Sequence, residues 1–133
     1  MKVVMIVNKD LPLGLIANTT AVLGMSLGNM RAEIIGDDIT DASGHSHKGI
    51  TNMTIPVLAG DRDSIRELHE RARAEDAIEI IGFSEIAQSI HSYEEYEKAL
   101  SASPTEKIDF SGICLLGDKS RINSLTGQLP LLR

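Results

Sequence analysis

The sequence predicts an α/β domain whose mainly parallel or mixed sheet is covered by helices on both faces. Three observations lead there. Apolar runs of strand length alternate with segments of helical periodicity along the chain, the pattern that places helices over a sheet. The first run, Val3 to Val7, is apolar at every position and closed by Asn8-Lys9-Asp10, as a central strand buried on both faces would be. The chain's 133 residues, 42% apolar and 24% charged, suit one core of ordinary globular composition, so residues 1–133 read as one domain.

After that first strand, Asp10-Leu11-Pro12-Leu13-Gly14 interrupts regular structure with proline and glycine. A helix follows over Leu15–Leu27, with Ile16, Val22, Leu23 and Leu27 as apolar positions and Gly28-Asn29 as its stop. From Ala32 to Asn52 the pattern is weak and predicts a long loop or irregular hairpin, a kind of segment that is often functional. Thr54 to Leu58 is a second strand, and Pro56, which cannot donate to a ladder, places it at a sheet edge. Ser64-Ile65-Arg66-Glu67 has the form of a capping box, and Ile65, Leu68 and Ala72 carry a helix to about Glu75. Ala77 to Ile81 is a third strand. A short helical turn follows at Ser84–Ser89, then a surface helix at Ser92–Leu100, capped by Ser92, with Tyr93, Tyr96 and Leu100 on one side. Ser101 to Pro104 is turn-like, Ile108 to Leu116 the last strand, and Asp118 to Leu125 the last helix, with Gly127 in a capping position.

Charge and cysteine content narrow the function classes. A net charge of -6 and a pI near 5.1 set up a field that repels polyanions, so nucleic acid is not the expected partner. The closest approach to a basic patch, Arg62, Arg66, Arg71 and Arg73, is interleaved with Glu67, Glu70 and Glu75 and reads as a salt-bridged solvent face. A single cysteine, Cys114, excludes an internal disulfide framework and fits a reducing compartment. The Val3–Val7 run is too short for a signal-peptide core or a membrane span, so the expected location is the cytoplasm, with no membrane partner. No P-loop, dinucleotide fingerprint, nucleophile elbow or metal-binding helix motif occurs, and no cofactor is expected.

Two stretches resemble a known enzyme family. Val4 to Gly14 followed by Ile16-Ala17 resembles the opening strand, Asp-Leu turn and first helix of peptidyl-tRNA hydrolase II, and Leu115-Leu116-Gly117 through Thr126-Gly127-Gln128-Leu129 resembles its last strand, helix and closing Thr-Gly-x-Leu. Nearly the whole chain is similar to an uncharacterised domain family, the two-thousandth in the series of domains of unknown function, grouped with that fold. Asn8-Lys9-Asp10-Leu11-Pro12, Ala17-Asn18, Asp41-Ala42-Ser43-Gly44, Ile55-Pro56-Val57-Leu58, Tyr93-Glu94-Glu95-Tyr96 and Leu129-Pro130-Leu131-Leu132-Arg133 carry that similarity. The resemblance implies a peptidyl-tRNA hydrolase II-like fold, with a mixed sheet of about four strands and helices on both sides. It does not carry the chemistry over. Where the hydrolases follow the Asp-Leu turn with lysines that serve the tRNA substrate, this chain has Leu15-Ile16-Ala17, and their later Asp-Ala-Gly-Arg-Thr-Gln stretch has no counterpart between Phe83 and Asp109.

The candidate ligand-binding residues are Asn8, Asp10, Gly14, Asn18 and Thr19. They lie where the first strand meets the first helix, and free N–H groups at a helix start can hold an anion or a carbonyl oxygen. Leu11, Leu13 and Leu15 would form the apolar wall. The competing reading is that Asn8 and Asp10 satisfy their own turn and that Thr19 and Thr20 bond back to helix carbonyls. His45 and His47, with Asp38 and Asp41, have metal-ligand chemistry but no motif spacing, and read as a solvated turn with no metal. His69 and His91 read as packing or surface histidines, and Cys114 as a buried, inert thiol. The function expected is a binding or regulatory module that uses the cleft between the first strand and the first helix for a small polar ligand, without peptidyl-tRNA hydrolase activity. The alternative is a small hydrolase or transferase that recruits Asp10, Asn18 or Thr19. A homodimer is expected, because the proline-bearing edge strand and the apolar tail at Leu129, Leu131 and Leu132 leave surface to cover.

Overall fold

A computed structural model describes residues 1–133. In chain order the elements are β1 (Lys2–Asn8), α1 (Leu13–Met30), the short strands β2 (Ile39–Thr40) and β3 (Ser46–His47), β4 (Val57–Gly60), α2 (Arg62–Arg73), β5 (Ile78–Ser84), α3 (Glu85–Ser89), α4 (Tyr93–Ser101), β6 (Phe110–Gly117) and α5 (Lys119–Thr126). The main sheet has the order β4-β1-β6-β5. β1 runs parallel to β4 and antiparallel to β6, and β5 is antiparallel to β6, so the sheet is mixed with β6 as the reversed strand.

Successive strand side chains point to opposite faces, so a strand apolar at every position needs a hydrophobic layer on each side. β1 has both. Val4 and Ile6 pack with Ile113 and Leu115 beneath α2 and α5, which contribute Ile65, Leu68, Ala72, Ile122 and Leu125. Val3 and Met5 pack with Cys114 and Leu116 beneath α1, which contributes Leu23 and Leu27. Fully burying side chains of this size contributes about 1.5–3 kcal/mol each, which makes the β1–β6 pair the anchor of the fold.

Several boundaries differ from the sequence reading, each for a local reason. α1 begins at Leu13 and runs past Gly28 to Met30, because Gly28 keeps a negative φ and the Arg31 N–H still bonds the Leu27 carbonyl. α2 starts earlier, at Arg62. Its capping box is reciprocal between Asp61 and Ser64: the Ser64 N–H donates to Asp61 Oδ1 at 2.8 Å and the Asp61 N–H to Ser64 Oγ at 3.0 Å. Ser64 is thus the third helical residue rather than the cap. β4 begins after Pro56, whose carbonyl accepts the Met5 N–H at 2.9 Å.

β4 is an edge strand, and the chain covers that edge itself. The Ala59 N–H donates to the Pro130 carbonyl at 2.8 Å and the Leu132 N–H to the Val57 carbonyl at 2.9 Å, around an antiparallel Leu58–Leu131 bridge. Leu129 packs against the core. The tail that the sequence leaves seeking a partner therefore closes on its own domain.

Residues 35–51 form a hairpin, with Ile39 opposite His47 and Ile35 opposite Thr51. Its tip is Gly44, the one residue with positive φ, 88°. At its base Gly36 and Gly49 cross so closely that a Cβ on Gly49 would lie 1.8 Å from the Gly36 carbonyl oxygen. No helix is long and apolar enough to cross a membrane.

Candidate functional site

At the turn between β1 and α1, polar groups are largely spent on the turn. Asn8 is buried at the end of β1, and its Oδ1 accepts the Asp10 N–H at 3.0 Å. The Lys9 N–H donates to the Gly60 carbonyl and the Leu11 N–H to the Asn8 carbonyl. The Asp10 side chain is 67% exposed and faces the Lys9 ammonium at 3.3 Å, a surface pair of small consequence. α1 opens on Pro12 with no side-chain cap, and Gly14 has open space where a Cβ would stand. Leu13 is 82% exposed and Leu15 is exposed too, so Leu11, Leu13 and Leu15 do not enclose this turn.

One turn further along, α1 meets a different environment. Thr19 is fully buried, and its hydroxyl donates to the Leu15 carbonyl at 2.7 Å; Thr20 bonds the Ala17 carbonyl in the same way. The Thr19 methyl packs on β6 at Gly112, where a Cβ would come within 2.6 Å of it, so the helix sits this close only over glycine. Gln88, on α3, ties this region together. Its Nε2 donates to the Leu15 carbonyl at 3.1 Å, to Thr19 Oγ1 at 3.1 Å and more weakly to Asn18 Oδ1 at 3.4 Å. Its Oε1 accepts from the buried Ser111 hydroxyl at 2.7 Å. Ser84, which ends β5, caps α3 through the Ala87 N–H and so fixes where Gln88 stands.

Beside this polar knot opens a groove of about 370 Å³ between α1, the end of β5 and the α3–α4 corner. Val22 and Ser26 continue the Asn18 row along α1 at four-residue spacing and form one wall. Phe83, Ile90, Tyr93 and Tyr96 form most of the rest, with His91 and Ser92 as polar members. Of the five predicted residues, Asn18 and Thr19 join the Gln88 network next to the groove, whereas Asn8, Asp10 and Gly14 belong to the turn. Gln88, Ser111, Val22, Ser26 and Phe83 escaped the sequence reading, being scattered over four elements. One signal was present in composition: three of the four aromatic residues, Phe83, Tyr93 and Tyr96, line this groove.

The remaining candidates resolve individually. In the hairpin, Asp41 accepts from the backbone of Ser43 and His45 and pairs with His47 Nε2 at 2.8 Å, contacts that hold its carboxyl below the usual range, the His47 bond foremost. His45 donates only through its backbone. No group of three His, Cys, Asp or Glu side chains clusters so as to hold a metal ion. His69 stacks on Phe110 with ring centroids 4.4 Å apart, and burial lowers its pKa. Cys114 is buried in β6, which pushes its thiol up to about 12 and leaves no thiolate for chemistry. Three of the four arginines of α2 are paired, chiefly off the helix: Arg62 reaches Glu85 and Arg66 reaches Asp109, while Arg73 pairs within α2, with Glu70, and Arg71 makes no ion pair.

The fold is shared with a solved structure, the protein of unknown function Atu0240 from Agrobacterium tumefaciens str. C58. The two are 23% identical, and the match covers 98% of this chain and 96% of that one at a TM-score of 0.90. At that identity the likeness speaks for the fold alone. No curated protein matches the sequence. A family model does match, over residues 1–133, and the chain belongs to that family, described as "Protein of unknown function (DUF2000)".

Proposed function

We propose that this protein is a binding or regulatory module that takes a small ligand into the groove between α1 and the α3–α4 corner. The observation that carries the reading is the groove itself: a volume of about 370 Å³ with aromatic and aliphatic walls and a few polar groups among them. Small-molecule sites typically occupy roughly 300–1,000 Å³, are mainly apolar and hold a few orienting polar groups. Ser26, His91 and Ser92 are those groups here, so the ligand lies beside α1 but further along it than the Asn8–Gly14 turn.

The same reading treats the fold as a relative of peptidyl-tRNA hydrolase II, on the motif resemblance at both ends of the chain and the mixed four-stranded sheet. It does not include peptidyl-tRNA cleavage. The turn offers Leu15, Ile16 and Ala17 where that family has lysines, Asp10 stands in solvent, and the charge of -6 opposes tRNA. A buried lone cysteine suits a cytoplasmic setting. A homodimer is supported by the hairpin, where Ile39 and Ile50 are 72% and 79% exposed, and a monomer mass by light scattering at micromolar concentration would remove it.

The test of the groove is an amide chemical-shift screen with small organic fragments. Hits should move Val22, Phe83, Ile90 and Tyr93, and Ser26→Phe, an exposed position whose new ring would fill the groove, should abolish them without unfolding the protein. Hits that survive Ser26→Phe and move Asn8, Asp10 and Gly14 instead would refute the assignment.

A further inference from the structure

Resting on the groove proposed above, we infer that its ligand is a small organic cation with an apolar, ring-bearing body. Aromatic residues are the starting point. The chain has two tyrosines, two phenylalanines and no tryptophan. Phe110 lies in the core, whereas the other three meet at the groove, and Tyr93 stays 78% exposed. A ring held in water adds little to the core, so its value lies in what it can contact.

Tyr93 and Tyr96 stand edge to face, with centroids 5.5 Å apart and planes at 74°. They separate the groove from a second hollow of about 410 Å³, shared with Glu97, Leu100 and Ser101 on the same side of α4. Across the two hollows no lysine or arginine contributes to the lining, and the one carboxylate is Glu97. Glu97 makes no ion pair: its neighbour Lys98 turns to Glu94 at 3.8 Å. A ligand lying over the tyrosines thus meets π faces that attract positive charge, and next to them an unpaired carboxylate. An anion would meet the same carboxylate with no cation to hold it, in a chain of net charge -6. Neutral rings would fill the apolar hollow and leave Glu97 unused.

Three probes of matched length separate these cases: phenylbutylamine, phenylbutanol and phenylbutyrate, titrated into the labelled protein at low ionic strength and followed by amide chemical shifts. The amine should bind about fivefold more tightly than the alcohol, the sum of an exposed ion pair and a cation–π contact, and the carboxylate most weakly. Glu97→Gln, a change at an exposed site, should cut the amine's preference to about twofold, the share left by the cation–π contact, and leave the alcohol unchanged. An alcohol that matches the amine while shifting Phe83 and Tyr93 overturns the cation inference and keeps the groove. A preference for the amine that is undiminished in Glu97→Gln also overturns it as stated. If none of the three probes shifts the groove residues, the groove reading itself fails.

Discussion

The start of α1 and its middle carry similar side chains and use them differently. At the start, Asn8 and Asp10 bond within the turn or to Lys9, and Leu13 and Leu15 stand in water. At the middle, Thr19 is sealed against Gly112 and Gln88, and Val22 and Ser26 face the α3–α4 corner as one wall of an aromatic groove. A helix N-terminus offers free N–H groups in both readings, but a binding pocket also needs walls. Those walls come from residues far along the chain, Phe83 to Tyr96.

The sharpest way to break the comparison is at Gln88, which belongs to the middle and has no counterpart at the start. Gln88→Ala strands the buried Ser111 hydroxyl and frees α3 from Thr19 and Leu15. The expected loss is about 2 kcal/mol of stability in denaturant titration, because an orphaned buried polar group carries its desolvation cost. Loss of less than about 0.5 kcal/mol would mean that the knot does not hold the groove together.

A smaller effect should come from the opposite face of the sheet, where His69 stacks on Phe110. Burial holds the His69 pKa below 6.5, opposed in part by Glu70 and reinforced by Arg73. The unfolded chain therefore takes up a proton near 6.5 while the folded chain resists it. Stability should fall as pH drops through that value and level off once folded His69 is also protonated. His69→Phe should flatten this limb, and an unchanged pH profile would show that the ring is not held neutral. Groove binding of a neutral probe should be indifferent to the substitution, since His69 is not part of the groove lining.

The smallest effect is expected at the turn. Asp10→Ala removes an exposed carboxylate paired only with Lys9, and its stability change should stay within about 0.5 kcal/mol by thermal unfolding. Ligand affinity should also be unchanged. A loss of binding would return the site to the start of the helix.

Much of the fold was legible because local patterns and tertiary contacts agree. Val3 to Val7 is apolar on both faces because both faces of β1 are covered, and Ser92 precedes α4 as a cap that bonds the Glu95 N–H. Where local signals were ambiguous, boundaries moved. Ser64 looks like a cap because it takes part in one, but Asp61 is the residue with extended backbone. The tail looked unpartnered because Leu129, Leu131 and Leu132 are apolar and no local pattern says what they meet; the Pro130 carbonyl and the Leu132 N–H pair with β4 instead. Of the candidate site, Asn18 and Thr19 were legible as polar residues on the first helix. The groove was not, because Val22, Phe83, Gln88 and Tyr93 come together only through the crossing of α1 over the far edge of the sheet.

The most direct test of where this family member binds is a crystal soaked with a mixed set of small amines and neutral ring compounds. Ligand density should lie against Val22, Phe83 and Tyr93, with any amino group toward Glu97. Density held by Asn8, Asp10 and the start of α1, or by His45 and His47 in the hairpin, with the groove left to solvent, would contradict the account.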